Sequence, residues 1–209
     1  MTKMPHPDLA PVASSVAALL HGVRDEHLDA PTPCPDYTVA EMLGHVHGLS
    51  QAFVAAAAKD LGPLTSTPPT ERVQALPDDW RDSLPEHLHA LGQAWRDPAA
   101  WTGMTAAGGV DLPGEVAGLV ALDEIVVHGW DLARSTGQSF DPGTEAVAAV
   151  HEFLAQFRAD GTPSDIFGPA VPVPDEAPLF DRAIGLAGRD PQWPGERIQT
   201  IPAATAASA

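Results

Sequence analysis

Between Asp111 and Ser135 the chain carries a long run of helical periodicity that is not purely apolar. Glu124 and His128 stand four residues apart within it, followed directly by Gly129-Trp130-Asp131. At about 3.6 residues per turn both side chains leave the same helix face, and Asp131 falls on that face too. They share a stripe with Ala117, Val120 and Ala121. A carboxylate and an imidazole turned toward an interior are costly unless paired, and in a helical bundle a divalent metal is the usual partner. The segment therefore demands a helix packed on other helices, with a polar partner at the contact.

The rest of the chain supplies those helices. Leu9, Val12, Val16, Leu19, Leu20 and Val23 predict a first helix over Leu9 to Leu28. The prolines of Ala30-Pro31-Thr32-Pro33-Cys34-Pro35-Asp36-Tyr37 exclude helix and predict an extended entry. Thr38 and Glu41 form a capping box that opens a second helix, running to about Lys59 and stopped by Gly62-Pro63. A third helical region begins between Thr70 and Asp82. It is interrupted by Pro77 and Pro85 and is clearest from Leu84 to Trp95. Trp101 to Val110 reads as a loop or short extended excursion, and Asp111-Leu112-Pro113-Gly114-Glu115 as the start of the fourth helix, closed by Gly137. A fifth spans Thr144 to about Ala159. Beyond it, Phe167 to Pro174 predicts a proline-punctuated surface strap, Ala177 to Leu186 a short helix with Gly188 just past its end, and Gly195 to Ala209 a frayed tail. Strand signals are nearly absent. The prediction is an all-α bundle over 1–160, an extension packing on it over 161–194, and a flexible tail over 195–209.

Composition narrows the partners. A net charge of −17, from 28 acidic and 11 basic residues, argues against nucleic acid and anionic membranes. No apolar run reaches the ~18 residues of a membrane helix, and the N-terminus has no apolar signal region, so a cytoplasmic protein is expected. Cys34 is the sole cysteine, which excludes an internal disulfide and a cysteine-rich zinc cluster. Any metal must be held by histidine and carboxylate. Cys34 itself, between Pro33 and Pro35, reads as a packing residue.

The second helix offers the complementary ligand. His45 lies between Met42 and Leu49 on or near the apolar face, whereas His47 is turned about 200° away. If the second and fourth helices face each other, His45, Glu124 and His128 can converge on one ion, in the open three-ligand style of catalytic zinc. Asp131 is then placed to accept the second ring N–H of a ligand histidine, or to bind a metal water. Spacing alone leaves ordinary readings open: Glu124 and His128 as an intrahelical pair, and His45 as a hydrogen-bonded core histidine. Trp130 reads as a packing anchor. His21, His27, His87, His89 and His151 suit solvated or capping roles.

Two separated motifs carry a family resemblance. Thr32-Pro33-Cys34-Pro35-Asp36-Tyr37-Thr38-Val39 with Leu43-Gly44-His45-Val46, and Glu124-x-x-x-His128-Gly129-Trp130-Asp131-Leu132-Ala133-Arg134-x-Thr136-Gly137, resemble the actinobacterial metal-binding proteins related to mycothiol-dependent maleylpyruvate isomerase, within the DinB-like superfamily. Phe167-Gly168-Pro169-Ala170-Val171 and Gly188-Arg189-Asp190-Pro191-x-Trp193 resemble the tail of one of its subfamilies, so the likeness spans most of residues 9–194. It implies a DinB-like four-helix bundle, here with an extra short helix and a Pro/Gly-rich C-terminal extension. It also implies a divalent metal, usually zinc or nickel, on His45, Glu124 and His128. Family enzymes use that metal to activate a low-molecular-weight thiol, mycothiol, whose thiolate attacks a small electrophile in S-transfer or isomerisation. On this reading Asp131 orients a ligand, Arg134 either reaches a substrate carboxylate or faces outward, and the protein is a monomer or homodimer. The alternative is a metal-dependent binding or stress-response protein without turnover. The isomerases look two-domain, whereas only about 50 residues follow the fifth helix here; isomerisation of maleylpyruvate itself is therefore not the expected reaction.

Overall fold

The protein is described by a computed structural model over residues 6–67, 75–159 and 168–193. Its helices are α1 (Ala10–Leu20), α2 (Val39–Ala58), α3 (Pro63–Ser66), α4 (Trp80–Ala94), α5 (Gly114–Thr136), α6 (Thr144–Ala159) and α7 (Leu179–Leu186). A two-stranded antiparallel sheet, β1 (Met104–Ala107) and β2 (Val110–Pro113), lies between α4 and α5. Four helices make the bundle: α4 packs on α1 and α2, and α5 closes the ring by packing on the same two. α6 lies against α5, and α7 against α6. No helix among the described residues is long and apolar enough to cross a membrane. The described chain is all-α apart from the hairpin, with its core on the inner faces of the bundle.

The second and fourth predicted helices form for local reasons. At α2, Thr38 Oγ1 accepts the Glu41 N–H at 3.3 Å, while Glu41 returns a carboxylate oxygen to the Thr38 N–H at 2.8 Å. This reciprocal cap satisfies two otherwise orphaned donors. α5 begins at Gly114 and ends at Gly137, whose φ of 69° closes the helix as a left-handed C-cap. α6 matches the predicted Thr144 to Ala159 span.

Other boundaries differ from the sequence reading. α1 ends at Leu20, well short of Leu28, and a 3-10 turn follows at Asp25–His27. The chain leaves α1 through tight turns, the Gly22 N–H donating to the Leu19 carbonyl at 3.0 Å and the Val23 N–H to that of Leu20 at 3.2 Å, and Gln138, arriving from beyond α5, donates its Nε2 to the same Leu19 carbonyl at 3.0 Å. The buried His27 caps that turn, its Nδ1 accepting the Arg24 N–H. α2 is stopped by Lys59 in the left-handed conformation, and Gly62-Pro63 starts α3 with proline in its first turn. α4 begins at Trp80 and runs through Pro85. α7 begins at Leu179, two residues later than predicted.

The stretch read as a loop becomes the hairpin. Gly108 and Gly109 have φ of 60° and 81°, the pair of left-handed residues that a tight two-residue β-turn requires. The Gly109 N–H also donates to the Thr65 carbonyl at 2.9 Å, pinning the turn to α3. Asp111 to Pro113, read as the opening of the fourth helix, are strand residues. The predicted frayed tail lies outside the described residues.

Candidate metal centre

Two helices and one proline-rich segment build the site. α2 presents His45 and α5 presents Glu124 and His128, so the two motif-bearing helices do face each other. Glu124 Oε2 lies 3.2 Å from His45 Nε2 and 3.2 Å from His128 Nε2. The candidate ligand atoms of the three residues all lie within 4.8 Å of one another. Bonds of 2.0–2.1 Å at tetrahedral angles separate ligand atoms by about 3.3 Å, a spacing that the two 3.2 Å separations from Glu124 match.

Behind this face, His128 Nδ1 lies 3.0 Å from Asp131 Oδ2. With Nδ1 donating to this carboxylate and Nε2 to Glu124, only the Nε2 proton has to leave for that nitrogen to face an ion. Asp131 is completely buried and also receives Arg189, with Nη2 3.2 Å from Oδ2 and Nε 3.4 Å from Oδ1. Tyr37 closes one flank. Its ring stacks on His45 at 5.2 Å and meets His128 edge-on at 6.2 Å. The Thr32 hydroxyl holds the turn that presents Tyr37, lying 2.7 Å from the Cys34 carbonyl and 2.8 Å from that of Tyr37.

Exposure gives the site a direction. The side chains of His45 and Glu124 retain 17% and 18% of their surface, that of His128 8%, and that of Asp131 none. Solvent reaches the centre from the His45–Glu124 side, and the Asp131 side is closed.

Electrostatics follow from this arrangement. Burial acts to raise Glu124, but hydrogen bonds from His128 and His45 outweigh it and hold the carboxyl well below its usual range. Burial acts to lower His128, yet its bonds to Asp131 and Glu124 prevail and lift it to about 9. Cys34 is buried, and burial pushes its thiol up, the opposite of an activated nucleophile.

Asp123 was not singled out from the sequence. It is 1% exposed, and its Oδ1 has no hydrogen-bond partner among the described residues. Burial, reinforced by Glu124, raises it to about 8. A group raised on folding binds more protons folded than unfolded, so it subtracts stability as pH rises from its ordinary value near 4 toward 8. In the metal-free protein, Asp123→Asn is expected to gain on wild type by up to about 1.4 kcal/mol for each pH unit across that window. Urea unfolding of both proteins at pH 5, 6, 7 and 8 checks this; a constant difference would refute it.

The remaining candidates lie elsewhere. Arg134 is exposed, donates to the Trp193 carbonyl and lies 5.7 Å over the Trp130 ring, away from the three converging ligand atoms. His47 is buried against α4, its ring 4.6 Å from His87 and its Nε2 3.3 Å from Ser83 Oγ. His87 is thus packed in a helix contact, whereas His89 is exposed. Arg189 and Tyr37 complete the site without having been assigned a role in it. Both sat in noted motifs, but their convergence is long-range and has no local spacing signal.

The structure is thus a helical bundle in which two histidines and a glutamate converge at one partly exposed point, a candidate metal site. A family model described as the mycothiol maleylpyruvate isomerase N-terminal domain matches residues 9–133, and the chain belongs to this family. An uncharacterized protein of Mycobacterium tuberculosis, found in each of two strains, is 34% identical over 182 residues, covering 83% of this chain and 91% of the relative. Among solved structures, the mycothiol-dependent maleylpyruvate isomerase superposes with a TM-score of 0.57 at 18% identity, over 75% of this chain and 71% of that one. A histidine-to-alanine mutant of a mycothiol-dependent maleylpyruvate isomerase superposes with a TM-score of 0.56 at 17% identity, over the same shares. At that identity the likeness establishes the fold.

Proposed function

We propose that the protein binds one divalent metal, zinc or nickel, through His45, Glu124 and His128, and uses it in the cytoplasm to transfer or isomerise through a small thiol such as mycothiol. The observation that carries this reading is the convergence of two imidazole nitrogens on one carboxylate oxygen at 3.2 Å each, with His45 and Glu124 still partly exposed. Three nitrogen and oxygen ligands with an open position form the catalytic pattern of zinc sites, and structural sites fill all four corners. A bound divalent ion would hold a thiol as thiolate near neutral pH.

The chain's own residues supply the rest. Glu124 remains ionised and brings negative charge to the centre. Asp131 takes the Nδ1 proton of His128 in a hydrogen bond and leaves Nε2 to face the ion. Tyr37 stacks on His45 and meets His128 edge-on, covering that flank of the two imidazoles. Membership of a family named for a mycothiol enzyme supports the thiol, and the small electrophile it would meet is a matter for assay.

The test loads metal-free protein with Co(II) and then adds mycothiol. The expected result is one equivalent of Co(II), followed by a sulfur-to-metal charge-transfer band and turnover of at least one electrophile from a panel. Absence of stoichiometric metal would end the reading. A charge-transfer band without turnover would leave a metal-dependent binding protein, the alternative raised by the sequence.

A further inference from the structure

Arg189 lies outside the 9–133 segment that the family model matches, yet it reaches the back of the candidate centre. The local geometry that delivers it is tightly specified. α7 ends in a Schellman motif, in which the Gly188 N–H donates to the Gly185 carbonyl and the Arg189 N–H to the Ile184 carbonyl, each at 3.0 Å. Gly188 has a φ of 84°, which glycine alone adopts without cost. Arg189 Nη1 then donates to the Ala187 carbonyl at 2.9 Å, fixing the guanidinium against its own backbone. The other two guanidinium nitrogens, Nε and Nη2, donate to Oδ1 and Oδ2 of Asp131 respectively.

That fork has a consequence for His128. Asp131 is fully buried, and such a carboxylate is tolerated only when paired. Its Oδ2 is shared between Arg189 and His128 Nδ1. An acceptor locked by a two-point contact fixes both the ring rotation of His128 and the nitrogen that carries its proton. A lysine would keep the charge but lose the fork.

We infer that Arg189 is a positioning residue of the metal centre, holding Asp131 so that His128 keeps its proton on Nδ1 and offers Nε2 to a divalent cation. This rests on the metal-centre reading above. It makes the α7 segment part of the site, and not merely a cover for α6.

The test compares full-length wild type, Arg189→Gln and Arg189→Lys. Co(II) affinity is read by chelator competition at neutral pH, and the His128 ring nitrogens by 15N NMR in the metal-free protein at pH 10, where the imidazole is neutral and its one proton can be placed. Replacing a residue that orients a metal ligand typically costs 10–100-fold in affinity, so Arg189→Gln is expected to weaken Co(II) binding by about that factor. It should also move the His128 nitrogen signals away from the Nδ1-protonated pattern. Arg189→Lys should recover part of both, a gradation that loss of the α7 contact alone would not produce. An Arg189→Gln protein that melts earlier but keeps wild-type Co(II) affinity and His128 signals would overturn the inference and leave Arg189 a docking residue. If Arg189→Gln fails to fold, wild-type affinity and signals in Arg189→Lys overturn it equally. Should wild type bind no Co(II), the metal-centre reading fails, and the ring-nitrogen signals alone decide whether Arg189 governs His128.

Discussion

His128→Ala is expected to abolish stoichiometric metal binding while leaving the bundle folded. The substitution removes one of three converging ligand atoms, and a two-ligand remnant of His45 and Glu124 should lose at least about 100-fold in affinity, beyond the range seen for orienting residues. The fold tolerates the change because Asp131 retains its partner Arg189, so no buried charge is orphaned. Elemental analysis after dialysis, set beside thermal unfolding of the metal-free proteins, separates the two effects. In wild type, His128 keeps its proton up to about 9 without metal, so metal must displace it. Binding should therefore release protons and tighten as pH rises from 6 to 8, visible as a pH-dependent shift in chelator competition. Wild-type metal content in His128→Ala would remove this residue from the site.

Gly92→Val is expected to destabilise the protein by roughly 3 kcal/mol, the upper end of the usual cost of overpacking. α4 crosses α1 at this glycine, and a Cβ there would lie 2.7 Å from Ala10 Cα and 3.0 Å from Ala10 Cβ. The obstacle is backbone and cannot rotate aside. Relief requires α1 to move, together with Leu9, Val12 and Val16, each 1% exposed. For a chain of this size the loss corresponds to about 6–12 °C in Tm. Gly62→Ala is the control, since nothing lies within 4 Å of a Cβ at that position; it should stay within about 0.5 kcal/mol of wild type. Equal melting of the two variants would show that the α1–α4 contact is looser than described.

The parts of the protein that were legible in advance are those set by neighbours in sequence. Thr38 and Glu41 announce the start of α2, Gly137 announces the end of α5, and the four-residue spacing of Glu124 and His128 needs only helix geometry. His45 was legible as facing inward because its apolar neighbours share its face. His47 was not, since α2 is covered on two sides, by α5 at His45 and by α4 at His47, and a residue 200° from one buried face can meet another. The turn that follows α1 is braced by Gln138, 119 residues away from the Leu19 carbonyl that it shares with the Gly22 N–H, a contact with no local signal.

The sequence by itself determined a helical chain, the acidic surface, and three residues of metal-ligand type on two helices. Periodicity, caps and net charge are local or additive, and they survive without knowledge of what packs where. Only the tertiary structure decided that one carboxylate oxygen of Glu124 sits between two imidazoles, and that Arg134 turns outward while Arg189 turns in. It also decided that the carboxyl of Asp123, beside Glu124, is buried with one oxygen unpartnered among the described residues. These are matters of distance between segments far apart in the chain, where free energy depends on which groups lose water together.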